Sequence, residues 1–418
     1  MIEVDKIIPG GQALGTLQDG KKIFFWNALP KETVSEFSIT KNKSHYTEAI
    51  ATKVFNHSPF RVQPMDDCFL STSPWQIIDY NYELQLKSEL ITEVFKEHHI
   101  DIPSPLVVTD GCDYFYRNKM EYALYWNNNT EKISLAFHAR GSHRKIPITK
   151  SSLERPEIFE KAQQIIADLN NRHEEARKYQ SLLLRCNQKG EVSGGLYENH
   201  QPHPEFRNLT DNILGREYSY SPNGFFQINI PVYELALTEI KKHIGTDKVL
   251  DLYSGVGTIG LSVAFDRHLT LVESNKYAYA ELIENCKRYN AISFEEHNRR
   301  RGDYGATEPR DDGSEGAFRE KDSIIPKAIL TKSEDALDYI EPDMTVILDP
   351  PRAGCDKKLI KRLLETCPSK VIYLSCNPAT QARDVKELLQ KYQIAAVKAF
   401  NFFPHTPHIE NLIVLDLI

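Results

Sequence analysis

Polar and apolar residues alternate with a period of two through the first stretch of the chain. Ile23–Trp26 follows Gly20 and reads as a strand. Thr33–Ile39 alternates as a half-buried strand, and Thr47–Phe55 reads as another. Between the last two, Lys41–Tyr46 makes a basic, aromatic-tipped hairpin. Several short strands in so short a span predict a small barrel, a form that often binds oligonucleotides. Residues 63–80 carry Pro64, Pro74, Asp66, Asp67, Ser71 and Ser73 without periodicity, which predicts a loop or linker. The period then lengthens: Leu84, Leu90, Ile91 and Phe95 recur at helical intervals and predict a helix over 82–98. Arg117–Trp126 and Ile133–His138 form a hairpin around Asn127, Asn128 and Asn129. A helix over 156–169 opens on Pro156. Leu182–Cys186 and Val192–Tyr197 pair around Lys189-Gly190, and His200–Pro204 reads as a loop.

From Tyr218 onward strands alternate with helices, which predicts a parallel sheet. The strands are Val249–Tyr253, Leu269–Glu273, Thr345–Asp349, Lys370–Ser375 and Ile413–Ile418, with a helix over 276–289. Residues 295–325 break the rhythm. They are charged, nearly free of aliphatic residues, and unable to bury enough apolar area to offset their ordering entropy. They predict a mobile surface insertion, with Arg299, Arg300 and Arg301 as candidate RNA or partner contacts.

Composition narrows the class. The chain has 418 residues, so two or three domains are expected. A formal net charge of −7 excludes a bulk polycation, so any nucleic-acid surface must be local. The flanks of the central hairpin supply such a patch: Arg117, Lys119, Arg140, His143, Arg144 and Lys145. Seven scattered cysteines with no C-x-x-C spacing signal neither a zinc ribbon nor a local cluster site, and no metal site is predicted. Free thiols and the absence of a signal peptide or apolar span predict a cytoplasmic enzyme away from the membrane, with a monomer as the default.

The chemistry sits at predicted strand ends, where α/β sheets bind ligands. Gly255-Val256-Gly257-Thr258-Ile259-Gly260 follows a strand and opens a helix, and Glu273 ends the next strand, where a carboxylate can accept from ribose hydroxyls. By itself this fits a nicotinamide or flavin enzyme as well as an S-adenosylmethionine enzyme. Asp251, four residues before the first glycine, tilts it to the latter. So do Asp349-Pro350-Pro351-Arg352 and Cys376 in Ser375-Cys376-Asn377-Pro378, because hydride transfer needs neither. A thiol at a strand end can act as a nucleophile, and a nearby carboxylate can move a proton.

These segments together resemble the S-adenosylmethionine-dependent RNA uracil-5-methyltransferases over nearly the whole chain. The resemblance rests on Arg117–Glu121, Phe137–Ser142, Ser221–Asn229, Asp251–Gly260, Asp349–Gly354, Ser375–Pro378 and Phe403–Glu410. It implies an α/β protein in three parts: a TRAM-like (OB-like) β-barrel over 1–62, a central α+β RNA-binding domain over 63–217, and a Rossmann-like methyltransferase domain over 218–418. It implies that Cys376 is the nucleophile and Glu410 the general base, with Asp349 orienting base or cofactor. Gln227, Tyr253, Gly255, Gly257, Thr258, Glu273, Asp335 and Asp349 then fall on the S-adenosylmethionine pocket, with Thr258 standing where some members have Asn. Many relatives carry a four-cysteine iron–sulfur site. Here Cys68 remains while Ser71 and Ser73 stand where further thiols are expected, so no cluster is predicted.

The implied reaction is methylation of C5 of a uridine in 23S ribosomal RNA, with transfer RNA as the alternative. Thiolate addition at C6 makes C5 nucleophilic, and a base then removes the C5 proton so that the thiolate can leave. Arg352 and a helix N-terminus near Ala379 are expected to favour the thiolate. The target uridine must leave its stack, which is cheapest in a loop of structured RNA. His405 and His408 are expected to shape their loop. A nicotinamide oxidoreductase and a non-catalytic RNA chaperone are the remaining readings.

Overall fold

The computed structural model describes residues 1–198, 201–202, 206–288 and 325–418. The insertion predicted over 295–325, with Arg299–Arg301, lies outside the described residues except for Ile325.

The N-terminal strands β1 (Ile2–Ile7), β2 (Ala13–Thr16), β3 (Lys22–Trp26), β4 (Thr33–Asn42) and β5 (Tyr46–Phe55) close into a barrel in the order β1-β2-β3-β5-β4. Alternate residues of β3 and β5 point inward, which puts Ile23, Phe25, Ala49 and Ala51 in its core. A short helix α1 (Phe69–Thr72) and a long helix α2 (Tyr80–Glu97) follow. Asp79 caps α2 by accepting from the Asn81 and Tyr82 amides.

The central sheet has the order β12-β11-β10-β7-β8-β9. Its strands are β7 (Lys119–Asn127), β8 (Lys132–His138), β9 (Lys145–Pro147), β10 (Ser181–Cys186), β11 (Val192–Glu198) and β12 (Gln201–Pro202). Helix α3 (Pro156–Asn171) lays Ile158, Ala162, Ile166 and Leu169 on it. The loop expected over 200–204 thus contains a short strand pairing with β11.

The C-terminal sheet runs β17-β16-β15-β18-β19-β21-β20-β6. Here β6 is Val107–Val108, β15 Lys248–Leu252, β16 His268–Glu273, β17 Lys327–Leu330, β18 Met344–Leu348, β19 Lys370–Ser375, β20 Tyr392–Phe400 and β21 Glu410–Leu417. Strands β15 to β19 are parallel, and the central β15, β18 and β19 read as continuous buried runs, as strands covered on both faces do. Helices α4 (Ile230–Lys242), α5 (Thr258–Val263), α6 (276–288), α7 (Lys357–Thr366) and α8 (Pro378–Leu388) cover the sheet, and a hairpin of β13 (Leu209–Ile213) and β14 (Arg216–Tyr220) precedes them.

Two features depart from expectation. The sheet is mixed, because β21 runs antiparallel to β19 and to β20. The link over 401–409 has no crossover helix, so β21 turns back beside β20. The sequence also assigns all of 63–217 to one central unit. In the structure Ile91, Val94 and Phe95 of α2 pack in the core beneath β15, β18 and β19, and β6 pairs with β20 at its edge. Leu86 of the same helix, with Tyr82 and Leu90, packs in the barrel core, so α2 bridges the barrel and the methyltransferase sheet.

Candidate active site

The parallel strands deliver their last residues to one edge. Tyr253 follows β15, Glu273 ends β16, Asp349 follows β18 and Cys376 follows β19. Reversal of β21 brings its first residue to the same edge: Asn411 pairs with Ser375, so Glu410 begins beside Cys376. A cavity of about 940 Å³ opens here. Gln227, Tyr253, Gly255, Thr258, Glu273, Asp349, Cys376 and Glu410 all line it.

The glycine turn is built by the local chain. Ser254 Oγ donates to the Asp251 carbonyl (2.7 Å) and accepts from the Val272 amide (2.9 Å), which ties β15 to β16. Glu273 accepts from the Gly255 amide (2.8 Å) and the Asn275 amide (2.6 Å). Gly260 lets α5 approach β15, because a Cβ there would lie 2.7 Å from Asp251 Oδ2. Gly257 caps α5 at φ +88°, and a Cβ would lie 2.5 Å from Leu282 Cδ1. Gly257 thus packs against Leu282 and Leu261, and its neighbours Val256 and Thr258 line the cavity. Asp335 ends a 3-10 turn over Ser333–Asp335 and is exposed, outside the residues that line this cavity.

Asp251 is fully buried. Its Oδ2 accepts from the Gly260 amide (2.9 Å), while Oδ1 has no hydrogen-bond partner among the described residues. Burial, assisted by the charges of Asp349 and Glu273, raises its pKa from 3.8 to about 8. The neutral carboxyl is therefore the form the fold prefers. Its stabilising contribution is complete below the unfolded pKa and is lost as pH rises through about 8, on the order of 5 kcal/mol in all. The cofactor-free protein should melt higher at pH 6 than at pH 8.5, and Asp251→Asn should narrow that gap. An unchanged gap in differential scanning calorimetry would refute the neutral carboxyl.

The segment carrying Gln227 is held from the central sheet. Arg185, 1% exposed, donates to the Gly224 carbonyl (3.2 Å) and the Phe226 carbonyl (2.9 Å). Lys119 Nζ reaches the Asn223 and Gly224 carbonyls, and Asn118 Nδ2 the Gln227 carbonyl (3.0 Å). Arg140 donates to the Leu70 carbonyl and stacks over Trp26, its guanidinium carbon 4.2 Å from the ring centre. Lys145 donates to the Leu124 carbonyl and Arg117 to that of Lys119. Four cations expected to grip phosphate are thus bonded to backbone. His143 and Arg144 of that patch are exposed. Arg185→Met removes two charged hydrogen bonds, each worth about 1.5–3 kcal/mol. S-adenosylhomocysteine binding should weaken about tenfold or more, a change of ~1.4 kcal/mol in calorimetry. Unaltered affinity would show that the loop holds itself.

At the reactive end, Asn377 caps α8 by accepting from the Ala379 amide (3.2 Å) and donates to the Arg352 carbonyl (2.9 Å). The Asn-Pro turn therefore locks Cys376 to the Asp-Pro-Pro-Arg loop. Cys376 is half-buried. Burial, with Glu410 and Asp349 nearby, raises its thiol pKa from 9.0 to about 11, and Arg352 only partly offsets this. The expectation of a site that favours the thiolate is corrected for the free protein, because two carboxyls and desolvation outweigh one guanidinium. Asp349 rises from 3.8 to about 7, chiefly by burial. Glu410 is 5% exposed, and burial first and Asp349 second push it well above the carboxylate range.

Residues beyond the expected set complete the site. Phe225 and Tyr277 stand at the cavity as exposed rings. His408 also lines it, with both ring nitrogens 3.4 Å from Arg352 Nη2. Burial and Arg352 lower its pKa to about 4, so the ring is neutral. The sequence marks it only as one histidine of a proline-rich loop. His408, Arg352 and Cys376 also wall a second cleft of about 240 Å³, between the barrel turn at Pro9 and the start of α8. No group of three or more His, Cys, Asp or Glu able to hold a metal occurs among the described residues.

A Rossmann-like sheet with this glycine turn, and a cavity reaching from Glu273 to a half-buried thiol, defines an S-adenosylmethionine-dependent methyltransferase. The cavity volume fits that cofactor. A family profile described as "tRNA (Uracil-5-)-methyltransferase" matches residues 336–417. An uncharacterized RNA methyltransferase of Prochlorococcus marinus is 27% identical, covering 89% of this chain and 96% of its own. One of Bacillus anthracis is 26% identical over 94% and 92%. The solved tRNA (uracil-54, C5)-methyltransferase of Pyrococcus abyssi, in complex with S-adenosyl-L-homocysteine, shares the fold with a TM-score of 0.72 over 99% of each chain, at 21% identity. The chain belongs to the S-adenosylmethionine-dependent RNA (uracil-C5)-methyltransferases. The nicotinamide and chaperone readings fall with that assignment.

Proposed function

We propose that this enzyme methylates C5 of a uridine in transfer RNA through a covalent bond between Cys376 and C6. Gln227, Tyr253, Gly255, Thr258, Glu273 and Asp349 hold S-adenosylmethionine, which when bound supplies an electrophilic methyl group. The Cys376 thiolate adds to C6 and raises electron density at C5. After C5 is methylated, Glu410 takes its proton and the thiolate leaves. One observation carries the reading: the antiparallel register of β21 sets Glu410 beside Cys376, in the cavity that Asp349 and Glu273 share. Transfer RNA displaces the 23S ribosomal RNA expected from the sequence, because the matching family description and the Pyrococcus abyssi structure both name it.

The test is methyl transfer from labelled S-adenosylmethionine into separated transfer and ribosomal RNA that lack 5-methyluridine. Label recovered as 5-methyluridine in transfer RNA supports the proposal. Label in ribosomal RNA alone moves the substrate and keeps the chemistry. No label in either pool defeats both.

A further inference from the structure

The loop that leads to Glu410 is held by residues far away in sequence. Glu83 and Lys87 of α2 form an ion pair (2.7 Å) with both side chains 0% exposed. Lys87 Nζ donates to Glu83, to Asn401 Oδ1 (2.6 Å) and to the Phe403 carbonyl (3.1 Å). Glu83 accepts the His405 amide with both oxygens, at 3.1 and 2.9 Å. Tyr116 Oη donates to the Pro404 carbonyl (3.1 Å), and the Trp75 amide to the His405 carbonyl (3.0 Å). His405 sits at φ +59°, a conformation that a non-glycine residue keeps only where its surroundings impose it.

A buried ion pair is a poor source of stability, since apolar residues of similar volume often serve as well or better. This pair directs its hydrogen bonds to the loop, and the His405 ring of that loop also lies beside Glu83, its Nδ1 3.6 Å from Oε2. Both of its members address chain that runs, within a few residues, into His408 and Glu410. We propose that Glu83 and Lys87 are positioning residues for methyl transfer: α2 reaches across from outside the methyltransferase segment and fixes the 401–408 loop, which sets Glu410 where the C5 proton leaves. The inference rests on Glu410 as the base.

A misplaced base has its own signature. Addition and methylation proceed, proton removal slows, and the methylated RNA stays bonded to Cys376. The full chain carrying Glu83→Gln, Lys87→Met, Tyr116→Phe or Glu410→Gln is compared with the unmodified protein on whichever RNA pool that protein methylates. Turnover, the KM for S-adenosylmethionine and the denaturant-stable RNA–protein adduct are read together. Because a general base contributes about 10²–10⁴-fold, kcat should fall about tenfold or more in Glu83→Gln and Lys87→Met. The adduct should rise, with the KM for S-adenosylmethionine held within about twofold, and Tyr116→Phe should move the same way by less. If Glu410→Gln traps adduct while a folded Glu83→Gln or Tyr116→Phe does not, the positioning role is overturned and the base stands. A Glu410→Gln protein that traps nothing overturns the base and this inference with it. Where Lys87→Met fails to fold, the isosteric Glu83→Gln and Tyr116→Phe decide the matter.

Discussion

Cys376→Ala protein will bind S-adenosylhomocysteine with unchanged affinity and form no 5-methyluridine, a loss of about 10⁴-fold or more. The cofactor residues lie at the ends of β15, β16 and β18, at the start of α5 and on the loop before α4, and the thiol follows β19, so removing one sulfur leaves the cofactor wall intact. The same variant will form no denaturant-stable complex with 5-fluorouridine RNA, because fluorine at C5 blocks the final elimination only if a C6 bond has formed. Any residual methylation in Cys376→Ala above that of a protein-free control would sink the covalent route. With the thiol near pH 11 in the free protein, only roughly one molecule in 10⁴ carries the thiolate at pH 7. Alkylation of Cys376 by iodoacetamide, followed by peptide mass spectrometry, should therefore speed up about tenfold per pH unit from 7 to 9.

Glu410→Gln should separate bond formation from release. Turnover should drop about 10²–10⁴-fold, the usual contribution of a positioned base. Ordinary uridine RNA should then remain attached to the protein in denaturing gels. Glu410 and Asp349 are enclosed together, so the charge of one opposes ionisation of the other and the pair retains a proton at neutral pH. Each carboxyl is raised, so ionisation of the pair completes only above neutrality. The unmodified enzyme should consequently gain activity from pH 6 to pH 8, and a flat profile with no adduct in Glu410→Gln would assign the proton to another group.

Much of the architecture was legible because its signals are local. Buried runs such as Met344–Leu348 and Lys370–Ser375 announce central parallel strands, and Pro156 marks the start of a helix. The strand β20 escaped, since Tyr392–Phe400 alternates weakly, carries a bulge at Ile394/Ala396 and is partly exposed. The hairpin of β13 and β14 escaped because it turns on Leu214-Gly215, both at positive φ, without the usual Asn-Gly or Asp-Gly.

By itself the sequence determined which groups are present and on which local elements. It supplied a thiol at a strand end, a glycine turn before a helix, an acid on the following strand and a small barrel in front. Those depend on neighbours within a few residues, where periodicity and turn chemistry act. The tertiary structure decided what those groups become. Sheet pairing reversed β21 and laid Glu410 beside Cys376. Burial raised the thiol, Asp349 and Glu410 together, and long-range hydrogen bonds turned Lys119 and Arg140 from expected phosphate contacts into struts. Such effects come from desolvation and from contacts between residues far apart in the chain, and no local pattern encodes them.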